Sequence, residues 1–141
     1  MKKGFTLIEL LVVIAIIALL STLSVVALNS ARIKSRDAKR VSDIRQIKTA
    51  LEMYFDANEA YPSSASPLGN ATNYCLNING WQTNANCTGT VYMTRVPAEQ
   101  LPTTQHNYIY TKGSGTASTY TIAYYYEGTA ATKTATEVVM E

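Results

Sequence analysis

One histidine, one tryptophan, two phenylalanines and two cysteines occur in 141 residues. A metal centre built from His and Cys needs several such ligands at fixed spacing. His106 has no second histidine or cysteine near it, so it reads as a loop residue. No Gly-rich phosphate loop, nucleophile elbow or metal-spaced cluster occurs. Acid–base catalysis needs titratable groups gathered in a pocket, and the 83 residues after Asn58 carry that one histidine. An enzyme is not expected. Proline and glycine are missing from Phe5 to Ala60, so nothing in that stretch interrupts a helix. Charge is nearly missing from Phe5 to Leu28, where Glu9 stands alone.

What fills that stretch is an apolar run of 24 residues. As a helix it covers ~36 Å, enough to cross a hydrocarbon core of ~30 Å. A cleaved secretory signal has a shorter apolar region, ~7–15 residues, before a small-x-small site. Ser24-Val25-Val26-Ala27 could pass as such a site, but the length of the run and Glu9 near its start argue for a retained span. A carboxylate within a membrane helix is costly, by about 2.5–3.5 kcal/mol at the centre and less near an end. Glu9 reads either as a side chain that snorkels or is protonated, or as a group awaiting a positive partner. One such partner is a free amino terminus made by cutting before Phe5 in a second, staggered copy.

The stretch Lys3-Gly4-Phe5-Thr6-Leu7-Ile8-Glu9-Leu10-Leu11-Val12-Val13-Ile14-Ala15-Ile16-Ile17 resembles the type III signal of type IV prepilins and type II secretion pseudopilins. The resemblance implies cleavage of the Gly4–Phe5 bond by a membrane prepilin peptidase, N-methylation of Phe5, and subunit docking through Glu9. Gly4 suits this, since an extended peptide without a side chain approaches a protease closely. The resemblance also implies an α+β fold, a long N-terminal helix whose apolar half projects and whose second half packs on a small antiparallel β-sheet head. The expected divisions are a leader over 1–4, a transmembrane and filament-core helix over 5–28, its amphipathic half over 29–58, and a head over 59–141. Implied partners are copies of the chain in a helical filament, the peptidase, an inner-membrane assembly platform and its motor, and the membrane before assembly. Many members carry a proline where this chain has Val26. Whether the helix melts there is left open, with Ser21, Thr22, Ser24 and Asn29 as its weak spots.

Beyond the run, residues 29–48 carry seven basic side chains (Arg32, Lys34, Arg36, Lys39, Arg40, Arg45, Lys48) against Asp37 and Asp43. The balance of Lys and Arg flanking the span would put this collar in the cytoplasm, whereas the leader and the cysteines place the head outside, before assembly and then in an extracellular or periplasmic filament. The collar reads as a solvated face that pairs with acidic heads of neighbouring copies, or as a surface for anionic lipid or DNA. No aromatic residues interleave with the basic ones, which counts against single-stranded nucleic acid. Val41, Ile44, Ile47, Leu51, Tyr54 and Phe55 fall on one helical face.

Tyr61-Pro62 is expected to end the helix, because a residue before proline disfavours helical angles. The stretch Glu52–Pro62 resembles the corresponding end of major pseudopilins and small pilins. Residues 63–90 read as a loop holding Trp81, tied by Cys75 and Cys87, a pair that in an exported chain forms a disulfide. Val91–Met93 reads as a short strand, and Val96-Pro97 and Leu101-Pro102 bracket a turn. A hairpin follows, Asn107–Thr111 and Thr119–Tyr126 around Lys112–Gly115, with Tyr120, Ile122, Tyr124 and Tyr126 facing the helix and a third strand near Glu137–Met140. Ordinary sheet packing accounts for most of the tyrosines. Major pseudopilins often bind calcium near the C-terminus. Here that region offers Glu127, Glu137 and Glu141 and no Asp, so calcium has no support in the residues and no cofactor is expected. Asn70-Ala71-Thr72 and Asn86-Cys87-Thr88 fit the three-residue glycosylation pattern.

The main reading is a structural subunit, a major or minor pilin of a type IV pilus-like filament. A pseudopilin of type II secretion is the second reading. A membrane-anchored module that binds DNA or a surface is the third.

Overall fold

The computed structural model describes residues 4–99, 107–113, 119–129 and 131–138, with the backbone alone for 129 and 131–138. The expected Leu101-Pro102 turn, His106 and the tip of the hairpin turn lie outside the described residues. A single helix, α1, runs Leu7–Asn58. The chain forms two compact units, Met1–Arg36 and Asp37–Glu141.

In the first unit α1 is exposed along its whole apolar run, from Phe5 through Leu28. It is long and apolar enough to cross a membrane. The polar side chains within the run turn onto their own backbone. Ser21 Oγ donates to the Ile17 carbonyl at 2.7 Å, Thr22 Oγ1 to Leu19 at 2.8 Å and Ser24 Oγ to Leu20 at 2.8 Å. In hydrocarbon every polar hydrogen needs an internal acceptor, and these three have one.

The second unit packs the C-terminal half of α1 on two antiparallel sheets. Ile44, Ile47, Ala50, Leu51 and Tyr54 bury one face of the helix, at spacings of three and four that keep them on one stripe. Against them lie Tyr61, Leu68, Leu76, Val96, Tyr108, Tyr110, Tyr120 and Ile122. One sheet has the order β4-β5-β6, with β4 Ile109–Lys112, β5 Thr119–Tyr126 and β6 Ala131–Val138. Tyr110 pairs with Ile122, and Tyr120 with Glu137. Along β5, Tyr120 and Ile122 are fully buried and Tyr124 packs on the edge of the core. The third strand therefore begins well before Glu137, at Ala131.

Residues 63–90 are not the loop that their composition suggests. They hold β1 Cys75–Asn77 and β2 Gly80–Gln82, which join β3 Val91–Met93 in a second sheet of order β2-β1-β3. Trp81 lies in β2, opposite Leu76. The Cys75–Cys87 disulfide is formed, with a Cα separation of 6.2 Å. Inside the loop it closes, buried Asn77 donates through Nδ2 to the carbonyls of Asn86 and Thr88, at 3.2 and 2.9 Å. That amide replaces the strand partner that an irregular segment lacks.

The helix stops before Tyr61-Pro62. Asn58 is its last residue and Glu59 takes a left-handed φ of 53°. The Glu59 N–H donates to the Phe55 carbonyl at 2.7 Å and Asn58 Nδ2 to the Tyr54 carbonyl at 2.8 Å. A left-handed residue after the last turn satisfies the end carbonyls. Pro62 instead supplies a carbonyl that accepts the buried Tyr110 hydroxyl at 3.0 Å.

Candidate functional site

The expected processing and docking residues occupy the start of the first unit. Gly4 is exposed, with no atom within 4 Å of the place a Cβ would take, and Phe5 is 87% exposed. The next residue, Thr6, caps α1. Its backbone N–H and its hydroxyl both donate to Glu9 Oε2, at 2.8 and 2.7 Å. The Glu9 N–H returns a bond to Thr6 Oγ1 at 3.3 Å. This reciprocal arrangement is a capping box. The sequence carries the signal, since Thr6-Leu7-Ile8-Glu9 has the Thr-x-x-Glu form of such a box. A carboxylate at this position also faces the positive end of the helix dipole. Glu9 therefore has a local role at the helix start.

In the second unit, the collar is not uniformly solvated. Arg40, expected on an exposed basic face, is 2% exposed. Its Nε and Nη2 grip both oxygens of Glu99, at 2.8 and 2.9 Å. Nη1 meets Asp37 at 2.7 Å and Nη2 meets Glu127 at 2.6 Å. The Glu99 pairing holds the guanidinium protonated above its ordinary value, against the opposing effect of burial, with Glu127 and Asp37 adding to it. Asp37, itself buried, accepts the backbone N–H groups of Glu127 and Gly128 at 2.9 and 2.8 Å. A Cβ on Gly128 would stand 3.1 Å from Asp37 Oδ2, a tight contact that glycine avoids where the turn after β5 meets the helix. One turn further along, buried Asp43 accepts the Tyr108 hydroxyl at 3.0 Å. Burial pushes the Asp43 carboxyl up, and the Tyr108 bond and nearby Lys39 offset part of that. Burial, then Asp43, raises the Tyr108 phenol.

Glu52 accepts the hydroxyls of Tyr61 and Tyr120, at 3.1 and 3.3 Å. These polar groups fasten helix to sheet. Glu127, one of the three carboxylates considered for calcium near the C-terminus, is held by Arg40. The side chains of Glu137 and Glu141 lie outside the described residues. Among the described residues no group of three or more His, Cys, Asp or Glu side chains is arranged to hold a metal.

Residues 1–25 match the family model of the prokaryotic N-terminal methylation motif. The chain is similar over part of its length to type II secretion pseudopilins and to a fimbrial protein. The type II secretion system core protein G of Pectobacterium carotovorum subsp. carotovorum is 42% identical over 67 residues, 48% of this chain and 43% of that protein. The protein of that name from Escherichia coli (strain K12) is 40% identical over 67 residues, 48% of this chain and 46% of its own. A fimbrial protein of Pseudomonas aeruginosa is 35% identical over 66 residues, 47% of this chain and 43% of its own. The chain spans less than half the length of these relatives. No solved structure matches it. The methylation motif covers the first turns of α1.

Proposed function

We propose that this chain is a structural subunit of a pseudopilin-type filament, processed at Gly4–Phe5, methylated on Phe5 and assembled through its exposed apolar helix. The observation that carries this reading is the methylation motif over residues 1–25, lying on a helix whose apolar run is exposed throughout. The relatives shift the balance from a pilus subunit to the type II secretion pseudopilin, with 42% and 40% identity to core protein G against 35% to the fimbrial protein. On this reading the chain is not an enzyme. Its helix anchors it singly in the inner membrane with the head outside the cytoplasm. Its partners are copies of itself, the prepilin peptidase and the assembly platform with its motor.

Mechanistically, cutting after Gly4 leaves the apolar helix attached to the head, so the anchor becomes the interior of the filament. In a low-dielectric bundle a lone carboxylate is strongly unfavourable unless it is paired. The Phe5 amine of a neighbouring copy would supply that partner to Glu9. Intact-mass measurement of the mature protein tests the processing. The expected mass lacks Met1–Gly4 and carries one added methyl, and an uncut, unmethylated mass would refute the reading. Glu9→Ala should insert in the membrane normally yet fail to form filaments. Long, abundant surface fibres at native expression would return the pilus reading to first place, whereas short fibres seen on overexpression fit the pseudopilin.

A further inference from the structure

In the second unit, α1 turns one face away from the core. Ala38, Ser42, Arg45, Thr49, Met53 and Asp56 are all exposed on it, at spacings of three and four that keep them on one stripe. Asp56 follows Arg45 by eleven residues, three turns of the helix. The two therefore lie within about 20° of one another around the axis and ~16 Å apart along it. On a helix, residues three and four apart are neighbours, where an opposite charge attracts and a like charge repels. Those neighbours of Arg45 are Val41, Ser42, Lys48 and Thr49, and those of Asp56 are Glu52, Met53, Glu59 and Ala60. Each charge has only like charges beside it. Among the described residues, neither side chain makes a hydrogen bond or an ion pair.

We propose that this stripe docks on a second copy of the chain, with Arg45 of one copy paired to Asp56 of a copy shifted by three helical turns. The pairing rests on the filament reading above. A positive and a negative charge on one line of a helix are complemented by the same line of a parallel copy that slides by the distance between them. An antiparallel copy would match the charges too, but would close a pair. Copies anchored in one membrane through residues 5–28 share a direction, which leaves the shifted arrangement. In it each copy gives Arg45 to one neighbour and Asp56 to another. Such a contact is heterologous, and where its rotation does not close a ring it grows into a helical filament. The shift differs from the four residues, ~6 Å, between Phe5 and Glu9, so the two pairings join a copy to different neighbours. Charges arranged in this way fix register between copies.

The test uses the full-length chain, overexpressed in cells that carry a type II secretion assembly platform, and reads the amount of chain in the fibres sheared from them. Arg45→Glu alone sets two carboxylates against each other, and Asp56→Arg alone sets two guanidiniums against each other. Each should lower the sheared fraction at least about tenfold, with the melting temperature of the purified chain unchanged. Arg45→Glu combined with Asp56→Arg should restore most of it. Normal fibres from either single variant would overturn the pairing, as would a double variant no better than the singles. A short bis-maleimide linker reads the arrangement. Arg45→Cys combined with Asp56→Cys should yield a ladder of dimers, trimers and longer species, whereas either change alone should yield nothing beyond dimers. A double variant that stops at dimers would mean a closed pair and overturn the shift. An unmodified chain that gives no fibres overturns the filament reading and the pairing together. Fibres indifferent to charge at positions 45 and 56 overturn the pairing alone.

Discussion

Arg40 is the residue on which the second unit's electrostatics turn. Three carboxylates converge on it from the helix, from the segment after Val96 and from the turn after β5. Removing the cation leaves buried anions without compensation, so Arg40→Ala should cost about 3–5 kcal/mol in denaturant unfolding. Arg40→Met, which fills the space but supplies no charge, should fail in the same way. Asp43 makes the opposite prediction. Its carboxyl titrates above its ordinary value of about 4 in the folded head, so the folded state holds its proton more tightly than the unfolded chain. Below the ordinary value the group is neutral in both states. As pH rises through the raised value, ionisation charges a buried site, and stability is lost relative to acid. Asp43→Asn keeps an acceptor for the Tyr108 hydroxyl and should gain thermal stability relative to wild type on going from pH 3 to pH 7. A melting temperature that falls further below wild type at pH 7 than at pH 3 would contradict the assignment.

At the scale of elements, what the sequence made legible follows the periodicity of each segment. The apolar stripe from Ile44 to Tyr54 repeats at helical spacing over three turns. The alternation of Tyr120, Ile122 and Tyr124 is long enough to read as a strand. The second sheet could not be read this way, because β1, β2 and β3 have three residues each and a period of two needs more residues to show. Its order depends on Asn77 and on the disulfide, both of which act across loops. Breaking the link in the double variant Cys75→Ser with Cys87→Ser should cost about 3 kcal/mol in the chain-entropy view. The loss should appear as faster proteolysis between Asn84 and Gly89, with helix content unchanged by circular dichroism. The helix ends at Asn58, and what closes it there is not the proline. Proline is a loud local signal, but Glu59 in a left-handed conformation and the Asn58 side chain had already closed the turn. The capping box is legible from Thr6 and Glu9, three residues apart at the start of α1.

For the whole molecule, the divide between Arg36 and Asp37 falls where buried contacts begin. Asp37 is the first fully buried side chain of α1, and the core residues all lie beyond it. A chain starting at residue 29 should therefore remain soluble and fold in a single transition. Its melting temperature should lie within a few degrees of the head in the full-length protein, and a truncated chain without a cooperative transition would contradict the division. The same divide limits what sequence could say about charge. The collar has seven cations, but Glu99 lies 59 positions from Arg40, and no local pattern announces a pairing at that range.

The hydroxyls of Ser21, Thr22 and Ser24 have a mechanical consequence. With their hydrogens turned inward onto the backbone, the apolar run past Glu9 presents methyl and methylene groups and no hydrogen-bond donor. Dispersion contacts between such surfaces are many but individually tiny, and none has a preferred direction. Two helices in contact along this stretch are held in register by the fit of their side chains, with no hydrogen bond to break when they shift by one such fit. A fibre with such an interior, as proposed for this chain, would yield under tension by small slips shared among many subunits, and would behave as a soft spring.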